Sequence, residues 1–123
     1  MLRLISPLVF LFMTSSVFAR TSCQNLSQNI DELHRKINAI EIPQIEFSVN
    51  ERNCQLVLPT LEAANEVETH LLKLLDHYQD YYFDCGREVE IIYIIEDTKI
   101  NIMMMQTLTE IAKNLDLQCR NAF

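Results

Sequence analysis

The sequence predicts an all-α fold, a small helical bundle of three helices, with a fourth left open, that is stapled by disulfides. Three observations predict it: few turn-forming residues, long stretches of helical periodicity, and four evenly spaced cysteines. The chain of 123 residues contains one glycine and three prolines. All-β folds need many turns, which consume Gly, Pro, Asn and Asp, so this scarcity indicates a few long elements.

The first 19 residues have the three parts of a secretory signal peptide. Arg3 supplies the positive charge, residues 4–13 are almost wholly apolar, and Val17-Phe18-Ala19 suits a signal peptidase. The apolar run is shorter than the ~20 residues that span a bilayer. We therefore expect cleavage after residue 19, which would leave 20–123 as a single helical domain in the periplasm or outside the cell.

Three segments are predicted to be helical, and Pro43 and Gly86 separate them. Segment A, residues 23–42, places apolar residues in one narrow helical stripe: Leu26, Ile30, Leu33, Ile37 and Ile40. Segment B, from about 54 or 60 to 84, repeats the pattern: Ala64, Val67, Leu71, Leu74, Tyr78 and Tyr81. Segment C, residues 87–118, is predicted to be one long helix, in preference to a helix broken near Asp97 or to a buried strand over residues 89–95.

The sequence also predicts the structure of the connections between the helices and the burial of one apolar run. Residues 43–53 alternate between apolar and polar side chains, which predicts an extended arm laid across the bundle. Asn53 is a candidate cap for an early start of segment B, and Pro59 is expected to bend or restart that helix. The run 89–95 is apolar on every side, so we expect it to be buried nearly all round, at the centre of the core.

The cysteines are separated by 31, 31 and 34 residues: Cys23, Cys54, Cys85 and Cys119. Four cysteines permit three pairings. Cys54 and Cys85 bracket segment B, so a straight helix holds them about 40 Å apart, whereas bonded cysteines need Cα atoms within about 7 Å. Because Gly86 turns segment C back along segment B, we predict Cys23–Cys85 and Cys54–Cys119. The rival, 23–54 with 85–119, requires segment C to fold back on itself.

Charge and motifs exclude several function classes. The net charge of −7 would become −8 with the loss of Arg3, and no basic cluster offsets it. Such a chain repels phosphate backbones and anionic membranes, so we expect no nucleic-acid partner. No second apolar stretch is long enough to span a membrane. The sequence has no CxxC, no HExxH and no glycine-rich phosphate loop, so we expect neither an enzyme nor a cofactor.

Two groups of apolar residues are candidates for contact with a partner. Tyr82 and Phe83 spread around the helix beyond the core stripe of segment B, and aromatic residues at a rim are frequent binding anchors. Met103 and Met104 belong to three consecutive methionines, which splay by about 100° each and cannot all face the core. No metal site is expected, and the weak candidates are on the polar stripe of segment B: Glu66, His70, His77 and Asp80.

The leading interpretation is an exported small helical protein that acts by macromolecular interaction, as a bacterial secreted effector or accessory factor. An unknown protein partner is expected, and no oligomeric state is predicted. One alternative is a short-chain helical cytokine-like ligand, which would need a fourth helix within 43–57 or a clean break near Asp97. The glycosylation sequon Asn25-Leu26-Ser27 would suit that alternative. The other alternative is a metal- or haem-binding helical bundle.

Overall fold

The fold is all-α, as predicted, in a computed structural model that describes residues 22–46 and 48–122. Helix α1 covers 22–39, α2 covers Glu51–Cys85 and α3 covers Val89–Ala122. The described residues include no strand. The predicted signal peptide lies outside the described residues.

Two disulfides staple the bundle at opposite ends, in the predicted pairing. Cys23 is bonded to Cys85 and Cys54 to Cys119, with Cα–Cα distances of 5.7 Å in both. The rival pairing is therefore wrong. Because Cys54 lies near the start of α2 and Cys119 near the end of α3, the two long helices are antiparallel. Each bridge is worth about 2–4 kcal/mol, largely by restricting the unfolded chain.

Helix α2 begins earlier than either predicted start, and its cap is Asn50. The backbone N–H of Asn53 donates to Asn50 Oδ1 at 2.8 Å, which satisfies one of the free donors of the first turn. Asn53 is therefore not the cap. It is buried inside the first turn and donates its side-chain amide to the carbonyl of Ser48 at 2.7 Å. Pro59 lies inside the continuous helix and does not restart it.

The connections are short, and α3 is unbroken. Gly86 ends α2 with φ 147°, a conformation that residues with a Cβ rarely adopt, and only 86–88 separate the two long helices. Helix α3 continues through Asp97, which agrees with the prediction of one long helix. The non-helical arm occupies residues 40–50, apart from residue 47, which is not described, and thus ends before the predicted limit of 53.

The core contains two clusters of buried residues, and the arm contacts both. The larger draws on all three helices: Ile30, Leu33, Val67, Leu71, Leu74 and Ile102. The smaller lies beside the second disulfide: Val57, Leu115 and Cys119. Ile42 packs against the larger cluster and Ile45 against the smaller, so the arm does lie across the bundle. The predicted stripes of α1 and α2 supply most of the larger cluster.

The expectation for residues 89–95 is wrong. Only Ile91 and Ile95 are buried, while the other five side chains are exposed: Val89, Glu90, Ile92, Tyr93 and Ile94. The physical reason is that a helix in so small a bundle packs against neighbours on one side, and its opposite side faces solvent. An apolar run therefore need not be a buried run, and the centre of the core lies elsewhere.

Candidate functional site

Helix α3 has two apolar rows on opposite sides, and the inner row forms its contact with the core. Intervals of 4 and 3 residues place the inner row along one helical face: Ile91, Ile95, Thr98, Ile102, Met105, Thr109 and Ala112. All seven are buried or half-buried. The hydroxyls of Thr98 and Thr109 donate to the carbonyls of Ile94 and Met105 at 2.7 and 2.9 Å, so their burial leaves no unpaired hydroxyl.

The outer row is the candidate functional site. At about 100° per residue, its members fall within about 100° of one another on the other side of α3: Val89, Tyr93, Ile100, Met103, Met104, Thr107 and Ile111. Ile100 and Ile102, two residues apart, point in directions about 200° apart, so the packing of one row leaves the other outside. The exposed fraction reaches 67% at Tyr93 and 63% at Met103.

The centre of the outer row is a shallow groove with a volume of about 390 Å³. Six side chains line the groove, and together we call them the central patch: Ile100, Met103, Met104, Thr107, Leu108 and Ile111. All of them except Thr107 are apolar. Ile100 and Met104 are 53% and 57% exposed. A contiguous exposed apolar surface with few polar atoms is typical of a protein contact site. Methionine suits such a site because its flexible thioether side chain adapts to different shapes.

Two ion pairs of charged side chains lie on α3, one before and one after the middle of the central patch. Lys99 Nζ lies 3.2 Å from Glu96 Oε1, and Lys113 Nζ lies 3.7 Å from Glu110 Oε1. Both pairs join residues three apart on α3 and are well exposed to solvent, so each adds little to stability.

The other predicted contact residues form a separate group at the end of α2. Phe83 is exposed and Tyr82 is half-buried, and their rings meet edge to face with centroids 5.3 Å apart. The Arg87 guanidinium lies 5.7 Å from the centre of the Phe83 ring, in cation–π geometry. Met103 lies fourteen residues after Val89, about 21 Å along α3. The structure therefore does not unite the aromatic pair with the methionine pair.

The four weak metal candidates do not converge. Glu66 Oε1 lies 3.9 Å from His70 Nε2, one helical turn away. In the part of the chain that the structure describes, no three His, Cys, Asp or Glu side chains are grouped as metal ligands. His77 and Asp80 therefore do not complete a site with the first pair.

A hydrogen bond between α1 and α2 could not be foreseen from spacing. The Tyr78 hydroxyl lies 2.7 Å from His34 Nε2, and the two rings meet edge to face. Burial raises the pKa of Tyr78, and the nearby carboxylate of Asp31 raises it further. The sequence places Tyr78 on a core stripe but gives no sign of which α1 residue meets it.

Comparisons assign no family to this arrangement. The chain matches no protein-family model, and no characterised protein or solved structure shows significant similarity to it. Among the described helices, none has a stretch both long and apolar enough to cross a membrane.

Proposed function

We propose that this is an exported, non-enzymatic protein that acts by binding a protein partner through the outer row of α3. The observation that carries the proposal is the exposure of Ile100, Met103 and Met104 side by side on one helix. Burial of each such side chain in an interface would contribute up to about 1.5–3 kcal/mol, a gain that the bundle itself leaves unused.

Export to the periplasm or the outside of the cell is supported by the two disulfides. Disulfides persist in oxidising compartments and are rare in the cytosol. The leader expected at residues 1–19 gives a route to such a compartment. Within that setting, we propose the role of a bacterial secreted effector or accessory factor.

Site-specific photocrosslinking tests the proposal. A photoreactive residue replaces Met104 in the full chain, which is produced in a secreting host and irradiated where the protein accumulates. The matched control carries the same residue in place of Leu72, which is 46% exposed on α2 and outside the outer row. We expect a crosslinked product of defined mass from position 104 and none from position 72. No product at 104, or equal products at both positions, would contradict the proposal.

The two alternatives gain no support from the described residues. A fourth helix within 43–57 is not formed, because residues 43–46 and 48–50 are non-helical and residues 51–57 belong to α2. Helix α3 has no break at Asp97. A metal- or haem-binding bundle would need ligands that converge, and the candidates on α2 do not.

A further inference from the structure

We infer that the partner of the outer row of α3 is a basic amphipathic helix of another protein, with an apolar stripe and Lys or Arg side chains on both sides of that stripe. The inference rests on the proposed function, because it names the chemistry of the partner at that same surface. The positions of the acidic and basic side chains of α3 relative to the central patch support it.

Acidic side chains lie on the same lines along α3 as the methionines of the central patch. Residues seven apart on a helix are two turns apart and differ in direction by about 20°. Met103 therefore shares a line with Glu96 before it and with Glu110 after it. Met104 shares the neighbouring line with Asp97. All three acidic residues are exposed, so a partner that covers the patch meets negative charge towards both of its ends.

The lysines of α3 lie on a different line, on the side from which α3 contacts α2. Lys99, Gln106 and Lys113 follow one another at intervals of seven residues. The side-chain amide of Gln106 donates to Glu68 Oε1 of α2 at 3.2 Å, which shows the direction of this line. At about 100° per residue, both lysines point more than about 90° away from the middle of the central patch. The charge beside the patch is therefore negative.

This negative charge is available to a partner. The two lysines contact Glu96 and Glu110 in exposed ion pairs, which are worth little in water and can be exchanged for pairs with a partner. The ion pairs among the described residues do not include Asp97. The net charge of −7 on the chain adds a longer-range attraction for a positive segment.

The shape of the surface favours a helix as the partner. The outer row follows one unbroken helix, on which residues 96–111 extend over about 22 Å. An amphipathic helix of about 16 residues has an apolar stripe of the same length, and such helices bind by laying that stripe into an apolar groove. The central patch receives the stripe, while Lys or Arg side chains beside it reach the carboxylates.

Binding of designed peptides tests the inference by fluorescence anisotropy, with the full oxidised protein recovered after export. The probe is a labelled peptide of about 16 residues with one leucine stripe, lysines on both sides of the stripe and alanine elsewhere. The control peptide has glutamate at every lysine position. We expect the lysine peptide to bind at least about tenfold more tightly than the control, and its affinity to fall as salt rises from about 0.05 to 0.5 M.

Neutral variants of the protein identify the charges that contribute. One triple variant combines Glu96→Gln, Asp97→Asn and Glu110→Gln. We expect it to bind the lysine peptide about tenfold more weakly, because three exposed charge contacts are lost. Met104→Ser removes an apolar contact without adding a charge, and we expect it to weaken binding independently. Circular dichroism checks that both variants remain helical.

A matched triple variant removes the same amount of charge from exposed positions on α2. It combines Glu62→Gln, Glu66→Gln and Asp80→Asn. Because these side chains lie outside the outer row and affect the peptide only through the screened long-range field, we expect its affinity to change by less than about threefold.

Equal affinity for the two peptides, no binding of the lysine peptide at about millimolar concentration, or equal effects of the two triple variants would overturn the inference. These results leave the proposed function standing, because crosslinking from position 104 tests that function separately. A crosslinked product with the mass of two copies of this chain would replace the basic helix by a second copy and overturn the inference alone. The absence of any crosslinked product would overturn both.

Discussion

Leu74 shows how much a single core side chain contributes to this small bundle. It is 2% exposed and belongs to the cluster shared by the three helices. We predict that Leu74→Ala lowers the free energy of unfolding by about 2–5 kcal/mol, because the cavity can close only in part. Urea denaturation measures the change. Leu72→Ala, at a position 46% exposed, is the control and should change it by less than about 0.5 kcal/mol.

Tyr78 is expected to make the folded protein less stable at alkaline pH. Burial raises the pKa of Tyr78 in the folded state, with a contribution from Asp31. Above the ordinary tyrosine pKa of about 10, the unfolded chain loses this proton while the folded protein still holds it, so stability falls with pH. We predict that Tyr78→Phe reduces the fall in the free energy of unfolding above pH ~10. Urea titrations at several pH values measure it, and equal slopes in both proteins would refute the prediction.

The stability of helix α2 depends on its N-terminal cap, Asn50. Asn50 accepts the backbone N–H of Asn53 at 2.8 Å, so we predict that Asn50→Ala costs about 0.5–2 kcal/mol of unfolding free energy. Asn101→Ala, on an exposed position within α3, replaces a poor helix former without removing a cap and should not destabilise. Thermal unfolding of both variants gives the comparison, and equal effects would show that the cap is unimportant.

The helices α1 and α2 could be predicted from the sequence because each has one main apolar stripe. A single stripe identifies which face of the helix packs against the core. Helix α3 has two apolar rows, and helical periodicity fits both of them. Which row is buried depends on the neighbouring helices, so the sequence could not distinguish Ile102 in the core from Ile100 at the surface. Part of the site could be predicted from the consecutive methionines, because Met103 and Met104 cannot both be buried against one neighbouring helix.

For the whole molecule, the two disulfides are expected to have unequal roles. Helix α1 depends on tertiary packing for most of its stability, as helices in proteins generally do, and Cys23–Cys85 holds its start against the end of α2. We predict that Cys23→Ala with Cys85→Ala speeds amide hydrogen exchange in residues 22–39 more than in α2 or α3. Mass spectrometry of exchanged peptides measures this. Cys54→Ala with Cys119→Ala should leave α1 protected, and uniform acceleration in both variants would contradict this division.

The bridges overlap along the chain, since Cys54 lies inside the loop closed by Cys23–Cys85, and Cys85 lies inside the loop closed by Cys54–Cys119. Every peptide bond between residues 23 and 119 is thus spanned by at least one of them. A protease that severs the backbone once, whether in the arm or at Gly86, releases no fragment. The nicked molecule keeps both of its pieces covalently attached.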